Sequence, residues 1–247
     1  MRNNIFFLVG AQRAGTTYLY NIFDEHPEVI MAKPVKPEPK FFILENEFQK
    51  GEEYYFNKFF QNDNKKKIYG EKSTSYMESA EAASRIKQMF PQAKILISLR
   101  NPVFRAVSNY YFSLRNNIET RSIREVFIEK KPEPKHNFSI SVSPYNYLGR
   151  GEYLKYIQLF CDVFGKSNTK ILVLKKIAGN IAAIQHIYQF VGADADFIPA
   201  CLNNVVNSND IVYNVDEEVV EYLKKYYRPH IESLEVYLNE DLSDWKK

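Results

Sequence analysis

The chain has 247 residues, 33 basic and 30 acidic side chains and a formal net charge of +3. At 45% hydrophobic and 15% aromatic it can build a substantial core and lacks the marks of a disordered chain. So mild a charge excess excludes the basic face of a nucleic-acid binder, and no run approaches the ~20 apolar residues of a membrane helix.

The apolar run 5–9, Ile-Phe-Phe-Leu-Val, stops at Gly10 and reads as a strand buried on both faces. It is too short for the apolar part of a secretion signal, so the expected setting is the cytoplasm. Cys161 and Cys201 are then expected as reduced thiols, too far apart for a metal-site spacing. After the loop 10–15, Leu19, Ile22 and Phe23 recur at helical spacing, and Asp24-Glu25-His26-Pro27 closes the helix. A strand over 29–32 gives way to the Pro-rich loop 33–39, which no ladder can continue.

Farther on, the pattern predicts a short aromatic helix over 52–60, a polar turn over 62–67, a strand over 68–70 and a helix over 79–90. A strand over 94–99 runs into Asn101-Pro102, an N-cap residue followed by proline at the first helical position. The helix that follows extends to about Leu114. Residues 115–150 are irregular apart from a helix near 123–129, and so long a connection suggests function. Helices over 152–164, 181–191 and 216–238 and a strand over 170–174 complete the pattern. Strands alternate with helices throughout. The expected fold is α/β, a P-loop-like three-layer arrangement with a mainly parallel central sheet flanked by helices on both faces. One domain over 1–247 is expected, with 115–150 as an insertion or lid.

Two strand-to-helix junctions carry chemistry. In the first, Gly10-Ala11-Gln12-Arg13-Ala14-Gly15-Thr16-Thr17, small residues let backbone amides converge at a helix N-terminus, while Thr16 and Thr17 add hydroxyls. Gln12, Arg13, Ala14, Gly15, Thr16 and Thr17 are therefore candidate anion-binding residues. A nucleoside-triphosphate loop would place Lys where Thr16 stands and pair it with a metal-holding Asp. Here the cation is Arg13, and the strand 94–99 ends in Arg100 instead. An anion site with a cation and no metal ligand suits transfer of a sulfuryl group, which carries less charge than a phosphoryl group.

In the second junction Arg100 follows the end of a strand, where α/β folds form ligand crevices, and Ser108 lies on the next helix. An arginine fork with a serine hydroxyl suits one phosphate. Arg105 shares a helix face with Ser108 and is open to either a structural ion pair or a ligand contact.

On these residues the chain resembles the sulfotransferase superfamily. The 10–17 loop is similar to its 5′-phosphosulfate loop, and Leu99-Arg100-Asn101-Pro102 through Ser108-Asn109-Tyr110 to its 3′-phosphate segment. Glu38-Pro39-Lys40-Phe41-Phe42 and Gly70-Glu71-Lys72-Ser73-Thr74-Ser75-Tyr76 resemble elements of the heparan-sulfate-type and bacterial branch. Residues 226–245, with Tyr-Tyr-Arg-Pro and a final Trp245, look like the family's closing segment. The chain departs from the family pattern at Pro37, where a lysine usually precedes the base, and at Thr74, where a proline is usual.

The resemblance implies PAPS (3′-phosphoadenosine 5′-phosphosulfate) as donor, no metal, and a small-molecule or glycan acceptor. It implies Glu38 as the base that takes the acceptor proton, with Arg13 and Lys72 as catalytic partners and Arg100 and Ser108 on the 3′-phosphate. His136 is the rival base, because histidine serves in the small-molecule branch. His26, in His-Pro at a helix end, reads as structural, and His186 and His230 lie on predicted helices away from these motifs. Lys72 is open to a second reading as a lysine paired with Glu71, and Lys33, Lys36 and Lys40 are either a basic rim for an anionic acceptor or a solvated run. The alternatives to this function are a small-molecule or nucleoside kinase using ATP and Mg²⁺, and a non-catalytic PAP-binding protein.

Overall fold

In the computed structural model, residues 4–60, 68–135, 143–204 and 215–247 are described. Five strands form one sheet: β1 (Ile5–Gly10), β2 (Val29–Met31), β3 (Ile68–Lys72), β4 (Lys94–Leu99) and β5 (Thr169–Val173). Their order is β2-β3-β1-β4-β5, and all four pairings are parallel. The helices are α1 (Thr16–Asp24), α2 (Glu45–Phe48), α3 (Gly51–Phe59), α4 (Ala80–Met89), α5 (Pro102–Arg115), α6 (Ile123–Phe127), α7 (Tyr153–Phe164), α8 (Leu174–Ile177), α9 (Ile181–Val191) and α10 (Glu217–Leu238). The α/β fold with a parallel sheet and flanking helices is therefore the one the sequence pattern implies.

The chain forms two compact units, one from Met1–Leu99 and Tyr156–Ser208, the other from Arg100–Lys155 and Asn209–Lys247. The first unit holds the whole sheet. Successive strand residues point to opposite faces, and β1 uses that alternation to divide the core. Phe6 turns toward α1, its ring 4.3 Å from Phe23, in a cluster with Leu19, Leu96, Leu172, Ile184 and Tyr188. Phe7 turns the other way, 5.5 Å from Phe42 and 5.9 Å from Phe90. On that face Phe41, Tyr55, Phe56, Phe59 and Phe60 pack as a nearly continuous aromatic layer. Much of the high aromatic content is spent there.

In the second unit α10 packs against α5 and α6. Asp216 caps α10 through the amide of Glu218 at 2.9 Å, and Tyr227 donates to the Leu148 carbonyl at 2.8 Å. Ser122 and Glu125 close a reciprocal capping box at the start of α6. The helix ends at Phe127, two residues short of the predicted end: the Ile128 amide still bonds the Arg124 carbonyl, but the Glu129 amide turns to that same carbonyl at 3.1 Å.

Candidate active site

Because the strands are parallel, the loops following β1, β2 and β3 leave the same edge of the sheet. β1 lies where the chain turns from the β3–β2 side to the β4–β5 side, the position at which such sheets bind ligands. The loop after β1 is tied down on both sides. The Ala11 amide donates to the Ser98 carbonyl at 2.7 Å, and the Ser98 hydroxyl donates to the Ala14 carbonyl at 2.6 Å. The Gly10–Ala11 peptide is cis. Arg13 and Gly15 take left-handed backbone angles, φ 69° and 78°. A side chain at Gly15 would be strained by that angle, and its Cβ would lie 2.4 Å from Leu174.

Gly15 is the N-cap of α1 and supplies no side-chain acceptor to the helix amides. The first turn of α1 thus presents N–H groups uncapped by any side chain, beside the hydroxyls of Thr16 and Thr17 and just after Arg13 in the loop. That donor set suits an anion. Thr16 is buried, while Gln12, Arg13 and Thr17 are half-buried. All six loop residues singled out from the sequence therefore fall in one short turn.

The loop after β2 brings Glu38 to the carboxyl end of β3. One carboxylate oxygen accepts from Lys72 Nζ at 2.5 Å. The other accepts from the Thr74 amide at 2.8 Å and the Thr74 hydroxyl at 2.9 Å. The Lys72 side chain is 4% exposed and that of Glu38 16%. Lys72 is therefore no surface lysine, and its partner is Glu38 rather than Glu71. The reason is alternation: Lys72 sits opposite Leu8 and Glu71 opposite Phe7, on the other face.

Glu71 is fully buried among side-chain hydroxyls. Tyr55 and Ser73 each donate to it at 2.6 Å. Burial lifts its carboxyl to about 7; the nearby hydroxyls of Ser73, Tyr55 and Tyr76 pull against that shift, and the charge of Glu38 adds to it. Burial likewise pushes the Tyr55 and Tyr76 hydroxyls well above the usual range. Sequence reasoning named Glu71 only as a possible partner of Lys72 and gave Ser73 and Tyr55 no role. It ended the strand at Gly70, whereas β3 runs on to Lys72 and carries Glu71 within it.

In the second unit the Arg100–Asn101 corner is held from two directions. Tyr153 donates to the Arg100 carbonyl at 2.7 Å, and the Asn101 side chain donates to the Trp245 carbonyl at 3.3 Å. Asn101 Oδ1 caps α5 through the Val103 amide at 2.9 Å. The Arg100 guanidinium carbon lies 6.0 Å from the ring centroid of Phe104, which is 58% exposed. Ser108 is buried on α5. Arg105 is buried too. It donates to Asn109 Oδ1 at 3.2 Å and to the Tyr147 carbonyl, while its Nε has no partner. It therefore anchors the 143–150 return segment to α5 and forms no ion pair among the described residues. Arg150 shares Asn109 Oδ1 at 3.1 Å. A cavity of about 710 Å³ in this unit is lined by Arg121, Phe127, Lys130, Lys131, Tyr145 and Tyr147, among others.

His26 is buried, accepting from the Glu28 amide at Nδ1 and meeting the Asp194 carbonyl at Nε2. His186 is exposed, and His230 lies 5.5 Å from Tyr226. His136, the rival base, lies outside the described residues. Lys33 pairs with Asp24 at 2.6 Å and covers Tyr20, so it leaves the suggested basic rim to Lys36 and Lys40. Cys161 and Cys201 are both free. Among the described residues no group of His, Cys, Asp and Glu is placed to hold a metal, and no helix is long and apolar enough to cross a membrane.

A sulfotransferase from Alicyclobacillus acidocaldarius shares 27% sequence identity with the chain and superposes with a TM-score of 0.79, covering 100% of both chains. Mouse sulfotransferase SULT7A1 complexed with PAP shares the fold at a TM-score of 0.53 and 14% identity, covering 98% of this chain and 86% of that one. Over 127 residues, 50% of the chain, it is 34% identical to the mouse bifunctional heparan sulfate N-deacetylase/N-sulfotransferase 4. That match covers only 14% of the mouse protein's length. The sulfotransferase domain family matches residues 4–240. This chain belongs to that family.

Proposed function

We propose that the protein transfers a sulfuryl group from PAPS to a hydroxyl or amine acceptor of the glycan or glycolipid class, releasing PAP. One observation carries the reading: Glu38 and Lys72, 34 positions apart, meet at 2.5 Å at the carboxyl end of β3, next to the strand that opens into the amide-lined loop. A base and a cation beside an anion cradle are what in-line sulfuryl transfer needs.

The uncapped α1 amides, Thr16, Thr17 and Arg13 take the 5′-phosphosulfate end. Arg100 and Ser108 take the 3′-phosphate. As the acceptor oxygen or nitrogen bonds to sulfur, the sulfur–oxygen bond to the 5′-phosphate breaks and the acceptor proton passes to Glu38. Arg13 and the loop amides meet the charge left on the departing oxygen. Glu38 keeps one lone pair for this role, since its carboxylate accepts three hydrogen bonds and has about four acceptor sites. Lys72, held against Glu38, is also placed to meet charge on the transferring group. A carbohydrate acceptor is supported by the relative named for heparan sulfate.

PAP release from PAPS across a panel of glycans, glycolipids and phenols tests the reading. Glu38→Gln is expected to lower turnover by at least about 100-fold, within the range for a lost general base, while calorimetry gives an unchanged Kd for PAP. Wild-type turnover in that variant would remove Glu38 from the role. Turnover that required ATP and Mg²⁺ would move the protein to the kinases.

A further inference from the structure

We infer that Glu71 is a positioning residue for the base, acting through the directions of the hydrogen bonds that hold the Glu38 loop. The inference rests on the assignment of Glu38 above. The run Glu71–Tyr76 works as a two-sided clamp. From one side Lys72 and Thr74 bind the Glu38 carboxylate itself. From the other, Ser73 and Tyr76 bind the backbone behind it: the Ser73 hydroxyl accepts from the Lys40 amide at 3.0 Å, and the Tyr76 hydroxyl from the Phe42 amide at 3.3 Å.

A hydroxyl has one proton to give. Ser73 spends its proton on Glu71 at 2.6 Å, so its oxygen is left with lone pairs facing the Lys40 amide. Glu71 thus fixes the polarity of this contact, two residues beyond Glu38. Tyr55, donating at 2.6 Å, ties the same carboxylate to α3. Lys40 needs this support because it sits at φ 52°, a left-handed angle that a side-chain-bearing residue seldom adopts.

The expense of the arrangement points the same way. A carboxylate with no exposure, facing the aromatic layer, costs several kcal/mol relative to an apolar residue of similar size. An apolar side chain would serve packing alone. It would also leave Ser73 without that acceptor and free to turn its proton toward the Lys40 amide.

The test compares Glu71→Gln and Ser73→Ala with wild type, alone and in the Glu38→Gln background. Turnover is read as PAP release from PAPS, with an acceptor from the panel or with water. Each single variant is expected to lose roughly 10- to 100-fold in kcat, the scale of a misplaced catalytic group, with its Kd for PAP unchanged. In the Glu38→Gln background neither should lower the residual rate further, which a general loss of structure would not reproduce. Should Glu71→Gln fail to fold by circular dichroism, Ser73→Ala removes only one hydroxyl and carries the test. Turnover within twofold of wild type, or an equal further loss in the Glu38→Gln background, overturns the inference. A Glu38→Gln variant with wild-type turnover overturns the base assignment instead, so the two failures are distinct.

Discussion

The most informative residue is the buried carboxyl of Glu71, held near 7 by burial. Its effect on stability has a definite sign. A carboxyl raised from its ordinary 4.5 makes the folded state the better proton binder, so its contribution is complete below about pH 4.5 and is lost as pH rises through 7. The expected loss is about 3 kcal/mol, taking 1.36 kcal/mol per pKa unit. Urea unfolding of wild type and Glu71→Gln across pH 4.5 to 8 checks it. The stability of the wild type relative to the variant should fall by that amount, and a gap independent of pH would show that Glu71 titrates as an ordinary carboxyl.

At the scale of elements, both chemical junctions rely on how a helix begins, and they begin differently. α1 starts at a glycine with no capping side chain, which leaves its amides for an anion. α5 starts at Asn101, whose side chain satisfies the Val103 amide and also reaches the Trp245 carbonyl. Asn101→Ala should therefore cost about 1 kcal/mol from the lost cap, measured by denaturant unfolding. It should also weaken PAP binding in calorimetry, because Arg100 is the neighbouring residue. Unchanged affinity at reduced stability would separate the cap from the proposed 3′-phosphate site. By contrast, α2 and α8 are single turns that no apolar periodicity announces. Glu45–Phe48 buries no side chain, and at Leu174–Ile177 the apolar strand pattern runs on into the first helical residue.

For the whole molecule, donor binding should appear as stability. A ligand present at 100 times its Kd stabilises the folded chain by about 2.7 kcal/mol. PAP should therefore raise the melting temperature, and ADP, which lacks the 3′-phosphate, should raise it less. Arg100→Ala should bring the PAP response down to that of ADP. Equal responses of the wild type to both nucleotides would contradict the proposed role of Arg100.

Much of this was legible in the chain itself. The five strands, their parallel arrangement and the two junctions follow from local patterns: apolar runs of strand length, Gly and Asn-Pro at their ends, and helical spacing between them. The 10–17 loop and Arg100 could be named because each sits within a few residues of a strand end. What the tertiary structure decided lies at long range. Only the fold shows that Lys72 pairs with Glu38 and not with its neighbour Glu71, because strand alternation sends adjacent side chains to opposite faces. Only the fold shows that Arg105 binds a carbonyl 42 positions away and no carboxylate among the described residues. The physical reason is that a strand or a cap is specified by neighbours in sequence, whereas the partner of a buried charge is set by which loops the sheet order brings to one edge.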